Sequence, residues 1–172
     1  MKTWIALLRG INVGGKHLVP MKELKALMEG HGFSKVRTYI QSGNLVFEHP
    51  ERPQDEIELL IEKAFGFRPF VLIRSQEELL KAVKQCPYQS DIGNTIHYFF
   101  LDKTPQTPKL ELLDGVKKDS EKYSLIDRVF YLHAPEGIGK SKLFEKIDRA
   151  FPNTRMTARN LNTINKLVEM VS

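Results

Sequence analysis

Short apolar runs alternate along this chain with stretches whose apolar residues recur every three or four positions. The first run, Thr3–Arg9, reads as a buried strand. A glycine-rich loop, Gly10–Lys16, follows it. Pro20 marks a helix start, since a missing N–H costs nothing in the first turn. Met21, Leu24, Leu27 and Met28 give that helix one apolar face, and Gly30 and Gly32 end it. Lys35–Gln41 and Leu45–Glu48 are predicted strands joined at Ser42-Gly43-Asn44, a hairpin turn. Pro53 opens a second helix with Ile57, Leu60, Ile61, Ala64 and Phe65 on one stripe, stopped by Gly66. Pro69–Ile73 is a strand. Ser75 and Glu78 form a capping box for a helix carrying Leu79, Leu80 and Val83, which ends at Cys86-Pro87.

The second half repeats this order. Thr95–Leu101 is a strand. Pro108 opens a short helix bearing Leu110 and Leu113, ended near Gly115. Lys122–Ile126 and Val129–His133 are strands around a tight turn at Asp127-Arg128. Ser141–Phe151 is a helix with Leu143, Phe144, Ile147 and Ala150 inward. Thr154–Ala158 is a strand, and Asn160 caps a last helix carrying Leu161, Ile164, Leu167, Val168 and Val171. Each half therefore reads β-α-β-β-α-β plus one helix. Val46-Phe47 aligns with Val129-Phe130 at an offset of 83, and Arg74-Ser75 with Arg159-Asn160 at 85. The expected fold class is α+β, with two tandem ferredoxin-like (βαββαβ) subdomains, 1–87 and 88–172, each followed by an extra helix. His97, Phe99, Phe130 and Leu132 are expected to pack the subdomain interface.

Composition narrows the class. In 172 residues, 41% are apolar and 27% charged, which excludes disordered and fibrous chains. The one cysteine, Cys86, excludes a disulfide framework or a Cys-based zinc module. No apolar run is long enough to span a bilayer and the N-terminus lacks a secretory pattern, so a cytoplasmic protein with no membrane partner is expected. The net charge of +5 divides as +3 and +2 between the halves, with no polybasic tail. The basic excess raises the expectation of phosphates or nucleic acid as partners, but its modest size and even spread fit a merely slightly basic protein better.

Two segments approach a phosphate-binding loop. Gly10–Lys16 has the G-x-x-x-x-G-K spacing, but His17 stands where a magnesium-binding hydroxyl belongs, and Pro20 delays the helix. Ala134–Ser141 keeps Lys140 and Ser141 and runs from a strand into a helix, but Ala134, Pro135 and Glu136 spoil the cradle. Nucleotide hydrolysis is not expected, whereas weaker anion binding at a helix N-terminus is. The histidines show no metal-ligand spacing, so neither metal nor cofactor is expected. Other candidate polar corners are Gln41-Ser42-Gly43-Asn44 and Arg159-Asn160.

Ala6–Gly15, Pro20-Met21, Val36–Asn44, Gly137–Leu143 and Thr157–Asn160 closely resemble the corresponding stretches of the bacterial DUF1697 family. That resemblance extends from about Thr3 to the C-terminus and implies an α+β fold with no assigned activity. The family usually has Trp after the Arg-Asn pair, where Leu161 stands here. The polar corners all lie at element ends, where function concentrates. They are expected to converge on a cleft between the subdomains that binds a phosphate-bearing metabolite or nucleic-acid backbone. There, Arg9, Lys140 and Arg159 supply charge. Asn12, Gln41, Ser42 and Asn44 orient the ligand, Gly14 and Gly15 let backbone approach, and Ser141 and Asn160 present helix N-termini. The alternatives are a small metal-independent enzyme in the same cleft, with His17 or His133 as base, and a protein-interaction domain whose polar turns are structural. Oligomeric state is not legible.

Overall fold

The structure, a computed structural model, describes residues 1–40 and 43–172. Its elements are β1 (Lys2–Arg9), α1 (Met21–Glu29), β2 (Ser34–Tyr39), β3 (Asn44–His49), α2 (Gln54–Phe65), β4 (Phe70–Ser75), α3 (Gln76–Gln85), β5 (Ile96–Leu101), α4 (Glu111–Asp114), β6 (Lys122–Ile126), β7 (Val129–His133), α5 (Lys142–Ala150), β8 (Met156–Asn160) and α6 (Leu161–Val171). They form two four-stranded antiparallel sheets, ordered β2-β3-β1-β4 and β6-β7-β5-β8. This is the split βαβ, ferredoxin-like arrangement, present twice. Contacts partition the chain into an N-terminal unit, Met1–Lys81 with Leu167–Ser172, and a C-terminal unit, Ala82–Lys166. The division falls inside α3 and inside α6.

Strand alternation explains the core of the N-terminal unit. Trp4, Ala6 and Leu8 of β1 point to the side of α1 and α2, where they pack with Leu24, Met28, Phe47, Ile57 and Ile61. The intervening Ile5 and Leu7 are also buried, so β1 is apolar on both faces from Trp4 to Leu8. In the C-terminal unit Phe99, Leu101, Phe130 and Leu132 pack with Leu143, Ile147 and Phe151. This corrects the expected interface role of Phe99, Phe130 and Leu132, which form that unit's own core beneath α5. The opposite face carries Tyr98, Phe100 and Tyr131, all buried, with the Tyr131 hydroxyl donating to the Ala82 carbonyl at 2.6 Å.

The ladder registers revise the internal alignment. Ile5 faces both Val46 and Arg74, while Tyr98 faces both Tyr131 and Arg159. Val46 therefore corresponds to Tyr131, at the same offset of 85 that relates Arg74 to Arg159. The offset of 83 read from Val-Phe is a two-residue slip. Such a slip preserves the face each side chain occupies, so the apolar match survives it. The helix beginning near Pro108 is shorter than expected, a single turn over Glu111–Asp114.

Candidate functional site

Three segments meet at one end of the N-terminal unit. Arg9 faces Phe70 across β1 and β4, and Asn44 faces both Leu7 and Tyr39. The loop after β1, the β2–β3 turn and the approach to β4 therefore share that end.

The loop after β1 folds as a miniature hairpin. The Asn12 N–H donates to the His17 carbonyl at 3.0 Å and the Lys16 N–H to the Val13 carbonyl at 3.1 Å. Gly14 and Gly15 occupy the tip at φ 60° and 72°, the paired positive values of a type I′ turn. The amides of Asn12 and Lys16 are thus engaged within the loop, unlike those of a phosphate cradle. The Asn12 side chain accepts from the Val19 N–H at 2.8 Å and donates to the Val19 carbonyl at 3.0 Å, pinning the base of the loop. The His17 ring stacks on Phe67, with centroids 4.3 Å apart and planes 13° apart.

Asn44 is fully buried, and its amide donates to the Tyr39 carbonyl at 3.0 Å, tying the two ends of the turn together. Gly43 has φ 91°, and its carbonyl accepts from the Leu8 N–H at 2.9 Å. A β-carbon there would lie 2.7 Å from Leu8 Cβ and 2.9 Å from Ile11 Cδ1. Gly43 therefore lets the turn approach β1 and the loop beyond it. Gln41 and Ser42 lie outside the described residues.

Segments 9–19, 39–44 and 66–70 contain no Asp or Glu. Arg9 and Lys16 are exposed. Arg68 is answered from α2, by Glu58 at 3.0 Å and Asp55 at 3.9 Å. Three aliphatic side chains project from the same segments: Val13, Leu18 and Ile40 are 67%, 61% and 50% exposed.

Lys140, Ser141, Arg159 and Asn160 gather at one edge of the C-terminal sheet, where His133 faces Ile96 and Asn160 faces His97. By internal correspondence this is the edge that carries Trp4 and Ser75 in the N-terminal unit, not the edge that carries Arg9. The buried Ser141 hydroxyl accepts from the Phe144 N–H at 3.1 Å, a helix cap rather than a metal ligand. The Asn160 side chain accepts from the Thr163 N–H at 3.1 Å in the same role for α6. Lys140 is exposed ahead of α5. Ala158 packs on the α5 side, so Arg159 leaves the opposite face of the sheet. Its guanidinium donates to the Ala158 carbonyl at 2.8 Å, and burial pushes its pKa down to about 10. Arg74 makes the same contact with the Ile73 carbonyl, at 3.2 Å.

One notable residue was not singled out as a site from sequence. His97 is 7% exposed and its Nδ1 has no hydrogen-bond partner among the described residues. Burial lowers its pKa, so the ring is held neutral. Its counterpart Trp4 donates through Nε1 to the His49 carbonyl at 2.9 Å. The available signal was one polar residue inside an otherwise apolar aromatic strand.

Fold and loops together define a duplicated α+β protein with loop-borne polar corners. The chain belongs to the DUF1697 family, described as a protein of unknown function, which matches residues 1–131. A solved structure described as conserved bacterial protein SP0830 from Streptococcus pneumoniae is similar over 99% of both chains, with a TM-score of 0.72 and 21% identity. That likeness shows the fold. No curated protein matches the chain.

Proposed function

We propose that this protein is a binding module for a phosphate-bearing anionic ligand, and that the end of the N-terminal unit around Arg9 and Lys16 makes the contact. The supporting observation is that three converging segments expose Arg9, Lys16 and the α2-paired Arg68 and contain no carboxylate of their own. Such a surface attracts anions. Asn12 and Asn44 act beneath it as braces, holding the loop and the turn. Among the described residues, nothing lies within 4 Å of a β-carbon placed on Gly14 or Gly15, so a ligand can approach the backbone there. Lys140, Ser141, Arg159 and Asn160 belong to the C-terminal unit. The enzyme reading has less support, since the His17 ring is stacked on Phe67.

Chromatography on phosphocellulose tests the proposal, because the matrix presents phosphate groups and little else. Arg9→Ala/Lys16→Ala is expected to elute at clearly lower salt than Lys142→Ala/Arg149→Ala, which removes the same charge from the exposed face of α5. Equal shifts would mean that retention follows net charge alone and that the site is misplaced.

A further inference from the structure

The same corner carries a feature that phosphate binding does not require. Val13 and Leu18 flank the miniature hairpin, and Ile40 opens the neighbouring turn. The two segments abut where Gly43 meets Ile11. Ile40 adopts φ 51°, a conformation that β-branched residues rarely take. Single exposed apolar residues need no explanation. Here three aliphatic groups project from turns that also bear Arg9 and Lys16, with no carboxylate in the segments that carry them.

Charge and shape separate the candidate occupants. A second copy of the chain meeting this surface face to face would oppose Arg9 and Lys16 to themselves. A nucleic acid would offer bases to stack, but the projecting side chains are aliphatic, and base stacking relies on aromatic or arginine planes. A bilayer interface accepts aliphatic turn tips into its acyl boundary while its anionic headgroups meet flanking cations.

We propose that this end is a peripheral docking surface for an anionic phospholipid membrane. Val13, Leu18 and Ile40 enter the interface, and Arg9 and Lys16 meet the headgroup phosphates. The proposal rests on the phosphate-binding reading above and adds the nature of the phosphate carrier. It revises the expectation of no membrane partner, which followed only from the lack of a spanning segment. Among the described residues no helix is long and apolar enough to cross a membrane, and surface docking needs none.

Co-sedimentation with phosphatidylcholine vesicles, with and without about one-third phosphatidylserine, tests it. The full chain is expected to pellet with the anionic vesicles and to remain in solution with the neutral ones. Val13→Ser/Leu18→Ser and Lys16→Glu should each reduce the bound fraction about tenfold. Leu18→Trp gives a readout independent of loss, since its emission should shift to the blue when anionic vesicles are added. Unchanged binding by Val13→Ser/Leu18→Ser, or no blue shift, would overturn membrane docking. Failure to pellet with anionic vesicles, with site-specific phosphocellulose retention intact, would overturn it and leave the phosphate reading standing. Loss of both would remove the two together. Single-stranded oligonucleotide bound equally by wild type and Val13→Ser/Leu18→Ser, with no vesicle binding, would assign the surface to nucleic acid and end the proposal.

Discussion

Gly43 and His97 show how single residues become constrained by strands distant in sequence. At Gly43 any side chain meets Leu8 and Ile11 and must also adopt φ 91°. Gly43→Ala should therefore cost about 2 kcal/mol or more in urea unfolding, because backbone strain and overlap combine. A change below the measurement error would show that β1 can yield. His97 presents the opposite case, a buried polar atom without a partner among the described residues. His97→Leu should leave stability at neutral pH unchanged or raise it by about 1 kcal/mol, because an unsatisfied buried nitrogen is removed. The pH dependence has a definite sign. The folded pKa lies below the ordinary 6.5, so below that pH the unfolded chain binds more protons. Stability is fully present above 6.5, is lost as pH falls toward the folded pKa, and levels off beneath it. His133 shifts the same way, through burial and then Lys122. His97→Leu should accordingly weaken the acid dependence without abolishing it, as thermal melts across the range would show. The composition of Gly43's turn was readable from sequence, whereas its close approach to β1 was not. The isolation of the His97 nitrogen among the described residues was not readable either, because it depends on which residues the ladder places opposite.

At the scale of elements, local rules were the most legible. The Ser75–Glu78 capping box forms as its three-residue spacing requires. The Glu78 N–H donates to Ser75 Oγ and the Ser75 N–H to the Glu78 carboxylate, both at 3.0 Å. Burial alone would raise the Glu78 pKa, but the hydrogen bonds from Arg52 and Ser75 and the charges of Arg52 and Arg74 hold it below the usual range. Ser75→Ala should destabilise the protein by about 1 kcal/mol in denaturant melts, the ordinary worth of an N-cap. A neutral result would mean that α3 is held by packing alone. The limits of local reading show in the loop after β1. Its G-x-x-x-x-G-K spacing matches a phosphate loop, yet the same residues close a hairpin through Asn12–His17 and Val13–Lys16 pairing. Spacing records which residues are present. The carbonyl that each amide meets is decided by backbone φ, here positive at Asn12, Gly14, Gly15 and His17.

For the whole molecule, the duplication was legible because breakers and apolar periods repeat, and because paired strands keep that repeat in register. Its exact offset required the ladders, since a slip of two residues leaves every face unchanged. The candidate site was legible only in its ingredients. Arg9, Asn12, Gly14, Gly15 and Asn44 share one end of the N-terminal unit, while Lys140, Ser141, Arg159 and Asn160 share one edge of the C-terminal sheet. Residue type revealed the Asn160 cap, but not that Asn12, Asn44 and Ser141 make local backbone contacts. Nor did it reveal that exposed aliphatic side chains accompany Arg9 and Lys16. That end of the molecule is the proposed anion-binding surface. The most direct measurement is the salt concentration at which phosphocellulose releases Arg9→Ala/Lys16→Ala and the charge-matched Lys142→Ala/Arg149→Ala. Earlier release of the first variant is the predicted result, and coincident elution of the two would contradict it.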